Sequence, residues 1–217
     1  ADMSSPTTPA SIGPGEFFPV VGVGPREKPW PEGDHFDPEL LLNGDRRNVL
    51  DHYRYWSVEA IVADLNTKRH KLQIAIENWQ HDLNIGSVVR TANAFNVSAV
   101  HIIGKRDWNK RGAMVTDRYL TVMHHPTVED FAKYCKEQNL PIIGIDNVPG
   151  SKQLEPAVLP ESCVLLFGQE GAGMSEEGIA VCEVLYEINQ YGSTRSMNAS
   201  AAGAIAMYHW ALQHLPR

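Results

Sequence analysis

Short apolar segments alternate with helical segments from Lys71 to the end of the chain, and this alternation limits the possible folds more than any other feature. The apolar segments are nearly continuous, which is typical of strands buried on both faces of a parallel sheet. Helices between such strands cover both faces of the sheet. We therefore predict an α/β fold with a doubly wound, mostly parallel sheet. The predicted strands are 72–77, 97–103, 119–123, 140–145, 163–167 and 184–188, and the predicted helices are 85–95, 128–138, 176–182 and a last helix from Ser196.

The first 70 residues do not follow this alternation. Residues 1–45 are rich in Pro, Gly and Ser without a sustained apolar period, which predicts an extended arm. Residues 46–70 carry apolar residues at helical spacing from Val49 to Leu65, which predicts one long helix or two short helices. The chain is thus divided into an arm, an N-terminal helical segment and a domain at 71–217.

Composition places the chain among ordinary globular proteins, with 43% hydrophobic and 21% charged residues. Its three cysteines lack CxxC spacing, which argues against a disulfide scaffold or a cysteine-based metal site and favours a reducing compartment. The sequence has no apolar run near the roughly 18 residues of a membrane span and no secretory pattern at its start. We expect a cytoplasmic protein without a metal or a membrane partner.

The net charge of −7 weighs against binding to nucleic acid through bulk positive charge. A local basic surface could still provide such a contact. Two clusters are candidates, residues 68–71 and the cluster around Trp108, whose ring could stack on an unpaired base. Solvated loop charges remain the alternative for either cluster. The second cluster comprises Lys105, Arg106, Trp108, Lys110 and Arg111, with Arg118 following.

The last predicted helix is unusual because its first half consists almost entirely of small residues, from Ala199 to Ala206. Ser196 is predicted as its N-cap, where its hydroxyl can accept a hydrogen bond from the first turn. Gly203 in a helix interior costs about 1 kcal/mol relative to Ala. That cost is tolerated where another backbone or a ligand comes very close. The alternative is a packing helix of small residues with a good cap.

Polar residues that follow the predicted strands are candidate ligand contacts, because ligands of such sheets bind outside the carboxyl ends of the strands. Asn84 follows the first strand and is either a helix cap or a ligand contact. Arg90 is either a buried ion-pair partner or an anion binder. Glu170 lies among glycines between Gly168 and Gly173, where backbone groups can approach a ligand directly. No lysine follows, so a nucleotide phosphate loop is not expected.

Three segments resemble, in this order, the three motifs of the SpoU (TrmH-like) branch of the SPOUT superfamily of knotted RNA methyltransferases. They are Asn84-Ile-Gly-Ser-Val-Val-Arg90, Leu166-Phe-Gly-Gln-Glu-Gly-Ala-Gly173 and Ser196-Met-Asn-Ala-Ser200. The resemblance covers residues 71–215. It implies a C-terminal trefoil knot, S-adenosylmethionine as cofactor, and methylation of a ribose 2′-oxygen of tRNA or rRNA by a homodimer. DNA is not expected as a partner.

The resemblance also implies roles for individual residues. Arg90 would hold a phosphate and stabilise negative charge on the ribose oxygen. Asn84, Ser196 and Asn198 would position Arg90 and the substrate, and Glu170 would orient this network. The residues assigned to the cofactor are Gly144, Leu166, Gly168, Gly173, Ile188 and Met197.

One departure from the family pattern follows the last strand, where Ile-Pro-Met is usual and this chain has Ile188-Asn-Gln190. The cofactor contacts of Asn189 and Gln190 are therefore left open. Two other functions remain as alternatives. One is a cofactor-binding RNA chaperone or assembly factor with little turnover, and the other is a methyltransferase acting on a small molecule, favoured only by the acidic charge.

Overall fold

The computed structural model describes residues 21–80 and 84–217 of the 217-residue chain. The chain divides into two compact units between Ile61 and Val62.

The first unit contains a short helix, α1 (Pro38–Asn43), and a 3-10 turn at Asp51–Tyr53. Asp37 caps α1 because its carboxylate accepts a hydrogen bond from the Glu39 amide at 2.9 Å. A proline at the first helical position is also favourable there. The prediction of an extended arm is therefore wrong for these six residues, and residues 1–20 of the predicted arm lie outside the described residues.

Helix α2 spans Val58–Asn66. Of the two alternatives for this segment, one long helix is wrong, and two short helices are closer to the structure, because the chain forms the 3-10 turn followed by α2. Asp45, in the first unit, is fully buried and accepts hydrogen bonds from the Arg47 guanidinium and the Tyr55 amide. Burial alone would raise the pKa of Asp45, but the hydrogen bonds from Arg47 and Tyr55 lower it to about 2.

The second unit is built on a seven-stranded sheet in which every pairing is parallel. The strand order is β3-β2-β1-β6-β4-β7-β5. The predicted α/β class with a parallel sheet is confirmed. The strand at 119–123 is displaced, because a 3-10 turn occupies Thr116–Tyr119, and β5 was not predicted. The strands are β1 His70–Asn78, β2 Val97–Gly104, β3 Val122–His125, β4 Ile142–Ile145, β5 Lys152–Gln153, β6 Cys163–Phe167 and β7 Val184–Glu187.

Helices cover both faces of this sheet, as the doubly wound prediction requires. Helices α3 and α6 pack through Val88 and Trp210 on one face, in a core that includes Ile74 of β1. Helices α4 and α5 pack on the other face, where Phe131 is completely buried. None of the helices in the described ranges has the length and apolar character of a membrane-spanning segment. The helices of this unit are α3 Asn84–Ala94, α4 Val128–Glu137, α5 Glu176–Val181 and α6 Ala199–His214.

The three cysteines are free thiols. Cys135 and Cys163 are buried in the two cores, and burial raises the pKa of each to about 12. Burial, together with the nearby Glu77 carboxylate, raises the pKa of Cys182 to about 12 as well. All three therefore remain protonated at neutral pH.

The strand order reverses beside β1. The chain builds β1, β2 and β3 towards one edge and then places β6, β4 and β7 on the other side of β1. In open α/β sheets, ligands bind at such a reversal, outside the carboxyl ends of the strands.

Candidate active site

A cavity of about 330 Å³ opens at the carboxyl ends of β4, β6 and β7. It is lined by residues 145–148, which begin at the last residue of β4, and by residues 167–174, which begin at the last residue of β6. The remaining wall comes from the segment between β7 and the first turn of α6. The cavity therefore lies outside the carboxyl ends of the strands, as ligand sites of such sheets do, but at β4, β6 and β7 and not at the reversal beside β1, since residues 70–80 do not line it.

The loop after β6 is a tight turn that requires glycine. A Cβ atom on Gly168 would lie 2.2 Å from the carbonyl carbon of Gly173. Gly173 itself has φ +69°, and Gln169 and Gly173 exchange two backbone hydrogen bonds of 2.9 and 3.2 Å. A side chain at position 168 would displace the loop from the cavity wall.

Two polar side chains that we did not predict hold this loop in place. The Asp146 carboxylate accepts a hydrogen bond from the Met174 amide at 2.9 Å, which ties the loop to the end of β4. The buried Gln169 side-chain oxygen accepts hydrogen bonds from the Trp79 and Gln80 amides at 2.7 and 2.6 Å. The loop is thus fixed to the ends of β4 and β1.

Glu77 provides a third anchor from β1. Its carboxylate is completely buried and accepts hydrogen bonds from the Ser175 amide at 2.8 Å and the Trp79 indole at 2.7 Å. The sequence did carry a signal for two of these residues. Glu77 is a polar residue near the end of an apolar strand, and Asp146 directly follows β4.

The three segments that resemble family motifs meet in one hydrogen-bonded network. The Asn84 amide nitrogen donates to the Glu170 carboxylate at 3.2 Å. The Asn198 amide nitrogen donates to the Asn84 amide oxygen at 2.9 Å. The same Glu170 oxygen accepts a hydrogen bond from the Ala199 backbone amide at 2.9 Å. Glu170 therefore joins the start of α3 to the start of α6.

The N-cap of α6 is Asn198 and not Ser196 as predicted. The Asn198 amide oxygen accepts hydrogen bonds from the Ser200 and Ala201 amides at 3.0 and 3.2 Å. Asn is as good an N-cap as Ser, so the helix starts two residues later. Ser196 is exposed and lies in the cavity wall.

Arg90 lies on α3, six residues beyond Asn84, and its side chain is exposed. The prediction of a buried ion-pair partner is therefore wrong. Within residues 21–80 and 84–217, Arg90 has no ion pair or hydrogen bond through its guanidinium. Its role as an anion binder stays a prediction.

The residues assigned to the cofactor fall into two groups. One group lines the cavity, namely Gly168, Gly173, Ile188 and Met197. Gly144 and Leu166 are instead buried inside β4 and β6, outside the cavity lining. A Cβ atom on Gly144 would lie 2.7 Å from the Cys182 sulfur, so glycine is needed there for packing.

A second cavity of about 350 Å³ lies beside the first. Gln190, which stands where the family has methionine, lines both cavities. Asn147 and Gln190 both donate side-chain hydrogen bonds to the Arg195 carbonyl, at 2.6 and 3.2 Å. The departure from the family pattern is thus accommodated by polar contacts within the segment before α6.

The predicted basic cluster lies in the segment between β2 and β3. Lys105, Arg106, Lys110 and Arg111 are exposed, whereas Trp108 is only partly exposed and packs against the core. The Lys110 ammonium lies 5.4 Å from the centre of the Trp108 ring. Stacking on a base would therefore use only part of that ring.

Most of the second unit matches one protein family. Residues 71–208 match the SpoU rRNA methylase family. The chain belongs to this family. The predicted membership of the SpoU branch is confirmed, and the SpoU domain contains all three motif segments.

Two curated relatives of the SpoU domain are tRNA (guanosine(18)-2′-O)-methyltransferases. The protein from Borreliella burgdorferi is 26% identical over 147 residues, which are 66% of this chain and 67% of the relative. The Escherichia coli protein is 26% identical over 150 residues, which are 66% of this chain and 64% of the relative. The chain thus spans about two thirds of the length of these relatives.

A 23S rRNA (guanosine-2′-O-)-methyltransferase, RlmB from Neisseria meningitidis, is 31% identical and covers 65% of this chain and 58% of the relative. Among solved structures, the A. aeolicus TrmH/SpoU tRNA modifying enzyme superposes with a TM-score of 0.63 at 20% identity, covering 72% of this chain and 81% of that chain. The Streptomyces viridochromogenes methyltransferase AviRb, solved with AdoMet, superposes with a TM-score of 0.61 at 20% identity, covering 69% of this chain and 63% of that chain. These superpositions confirm the α/β fold with a parallel sheet.

Proposed function

We propose that this protein transfers a methyl group from S-adenosylmethionine to a ribose 2′-hydroxyl of tRNA or rRNA. The observation that carries the proposal is the network of Asn84, Glu170 and Asn198, which joins all three motifs at the rim of the cavity. The names of the curated relatives, which are 2′-O-methyltransferases of tRNA and rRNA, support the same activity.

The cavity fits S-adenosylmethionine in size and lining. Ligand pockets typically have volumes of about 300–1,000 Å³, with mostly apolar walls and a few polar groups. Phe167, Ile188 and Met197 supply apolar surface for an adenine ring, and the backbone of the glycine loop supplies hydrogen-bonding groups. When bound, the cofactor would supply a methyl group on a sulfonium. The ribose 2′-oxygen would take this methyl group as the carbon–sulfur bond breaks, with the neutral thioether as the leaving group and the hydroxyl proton passing to solvent.

Arg90 is the group that acts on the RNA. Its exposed guanidinium can hold a phosphate next to the target ribose and stabilise the negative charge that develops on the 2′-oxygen. A guanidinium stays protonated in proteins, so Arg90 is not the general base. Asn84, on the same helix, and Asn198 fix the start of α3 and so position Arg90.

We assign this activity to residues 71–217, and the family match at 71–208 supports that boundary. The trefoil knot is also part of the proposal. It is supported by the way residues 167–174 and the first turn of α6 line one cavity, as crossing backbones would. A cytoplasmic location follows from the proposed RNA substrates.

We further propose that the protein is a homodimer through α6. Ile205, Tyr208 and Leu212 are 43%, 57% and 43% exposed and lie on one face of that helix. A stripe of large apolar side chains on one helix face is typical of a protein interface. Sedimentation should show a dimer for the wild type and a monomer for Tyr208→Lys, whereas a monomeric wild type would refute this part.

Calorimetry and methyl transfer test the activity. The protein should bind S-adenosylmethionine, and labelled methyl should then pass to bulk tRNA or rRNA at ribose positions. Binding of the cofactor without transfer to either RNA would overturn the proposal and favour a chaperone or assembly factor. Mapping ribose methylation in total RNA with and without the gene would identify the nucleotide.

A further inference from the structure

Two adjacent apolar residues between β2 and β3 combine exposure with an unfavourable backbone. Met114 and Val115 are 59% and 57% exposed. Their φ angles are +50° and +58°, in the left-handed region that β-branched residues such as valine rarely adopt. A fold that needed only a turn here would place glycine or asparagine at these positions. Such strain persists where the surroundings impose it, and it is concentrated at functional sites.

We name Met114 and Val115 the apolar tip. The chain on either side of the apolar tip is held by burial and hydrogen bonds. Ala113 is fully buried and Tyr119 is 7% exposed. The Thr116 hydroxyl donates to the Ala113 carbonyl at 2.6 Å, and the Arg69 guanidinium donates to the Tyr119 carbonyl at 2.6 Å. The two tip side chains are therefore presented to solvent from a fixed base.

The apolar tip follows a segment that packs directly on α3, the helix that carries Arg90. A Cβ atom on Gly86 would lie 2.7 Å from the Ala113 nitrogen and 2.8 Å from the Gly112 nitrogen. Gly86 and Arg90 are four residues apart and so lie on the same side of α3. The apolar tip thus belongs to the surface around Arg90.

The charge around the apolar tip determines what can cover it. The segment from 105 to 118 has five cationic residues against two aspartates, in a chain whose net charge is −7. A polyanion with exposed apolar faces matches this combination, and unpaired RNA bases next to phosphates provide one. If the apolar tip instead packed against the same surface of a second copy, the cations of the two copies would lie close to one another, which is unfavourable.

We propose that Met114 and Val115 pack against an unpaired nucleobase next to the ribose that is methylated. The tip thereby selects single-stranded or looped RNA over duplex, in which stacking and pairing leave no base face available. This inference rests on the proposed function, since RNA is the ligand in both. It adds the preference for an unpaired segment and assigns that preference to two uncharged side chains.

The test compares two RNA probes, a mixed-sequence 12-nucleotide single strand and the same strand in a duplex, by fluorescence anisotropy. The wild type should bind the single strand more tightly. Met114→Ser/Val115→Ser should lose about tenfold in affinity for the single strand, as expected for removing one base contact, and keep its affinity for the duplex. Val158→Ser, which alters a valine that is 82% exposed elsewhere in the same unit, should bind like the wild type.

Val115→Gly distinguishes the loss of the valine side chain from damage to the fold. Glycine relieves the positive φ, so this variant should unfold at a higher temperature while still losing affinity for the single strand. Equal losses for both probes, the same loss in Val158→Ser, or a changed oligomeric state of the tip variants would overturn the inference. A wild type that binds the single strand preferentially but never methylates RNA would refute the proposed function and leave standing only the contact of the apolar tip with an unpaired base.

Discussion

The side-chain nitrogen of Asn198 lies 2.9 Å from the side-chain oxygen of Asn84, although 114 residues separate the two in the chain. The other atom of the Asn198 amide caps α6, and the other atom of the Asn84 amide donates to Glu170. Asn84 therefore uses both its donor and its acceptor between motifs, whereas Asn198 donates to another motif and accepts within its own helix. This arrangement couples the start of α6 to the helix that carries Arg90.

Replacing Asn198 separates its capping role from its donor role. Asn198→Ala should lower stability by about 1 kcal/mol through loss of the cap, and should also lower kcat. Asn198→Asp keeps an acceptor for the cap but cannot donate to Asn84, so it should lower kcat while changing stability less. Thermal unfolding and methyl transfer measure the two effects. Full kcat in Asn198→Asp would show that the donor to Asn84 has no part in the reaction.

Arg90→Ala should abolish methyl transfer while leaving the affinity for S-adenosylmethionine within about threefold, or about 0.7 kcal/mol. The reason is that Arg90 is exposed on α3 and is absent from the lining of the cofactor cavity. Calorimetry and labelled transfer check the two halves of this prediction.

Arg90→Lys is the matched control. It keeps the positive charge but not the planar pair of donors, so it should retain a small fraction of the activity. A large loss of cofactor binding in either variant would show that the role assigned to Arg90 is wrong.

The glycines of the site are not equivalent. A Cβ atom on Gly168 would lie 2.2 Å from backbone atoms, whereas one on Gly203 would lie at ordinary contact distances of 3.6–3.8 Å from Val88 and Phe167. Gly168→Ala should therefore weaken cofactor binding strongly, and Gly203→Ala should be neutral or stabilise α6 by up to about 1 kcal/mol. Calorimetry and thermal unfolding of both variants test this difference. Destabilisation by Gly203→Ala would mean that α6 has no room there.

The close backbone approach expected at Gly203 is not found among the described residues, whereas the alternative, a close ligand, stays a prediction. The sequence showed a glycine in a helix interior, and a gap facing Val88 explains it as well as a tight crossing does. The strands could be predicted because burial on both faces makes them continuously apolar. The prediction failed at the two edge strands of the sheet. The strand β3 is displaced from its predicted position, and the two-residue strand β5 was missed because it is exposed and carries no apolar signal.

The motif residues could be predicted from the sequence, but the side chains that hold them in place could not. Glu170 stood out as a carboxylate among glycines, and the structure places it between two helix starts. Gln169, its neighbour, looked like ordinary loop polarity, yet its buried side chain ties β1 to the loop. Partners that lie about 90 residues apart in the chain leave no local pattern.

The basic cluster should contribute to RNA binding through charge alone. Lys110→Glu/Arg111→Glu should weaken RNA binding and flatten its dependence on salt, because each lost phosphate contact lowers the slope by about 0.7–0.9. Lys133→Glu/Lys136→Glu is the matched control, since these exposed lysines lie on α4, which packs on the sheet face opposite α3. A salt titration of binding to bulk tRNA distinguishes the two. An unchanged slope in the first variant would remove this cluster from the RNA footprint.

A buried pair of histidines links β2 to β3. The His101 Nδ1 atom lies 2.9 Å from the His125 Nε2 atom, and His101 Nε2 lies 2.7 Å from the Gln73 side-chain oxygen. Because that oxygen accepts, His101 carries its proton on Nε2, and His125 donates to His101. Burial, followed by the charge of His125, lowers the pKa of His101 to about 3. Burial also lowers the pKa of His125.

These shifts make the protein less stable in mild acid. In the unfolded chain His101 binds a proton near pH 6.5, but in the folded chain it does so only near pH 3, so the unfolded state holds more protons between these values. The stabilisation is complete above pH 6.5 and is lost as the pH falls, by about 1.4 kcal/mol per pH unit for His101 alone. Urea unfolding at pH 7.5 and pH 5.0 should show a loss of about 2 kcal/mol. His101→Gln should reduce that loss, whereas replacing the exposed His52 by Gln should not, and equal losses in all three proteins would exclude His101 as the cause.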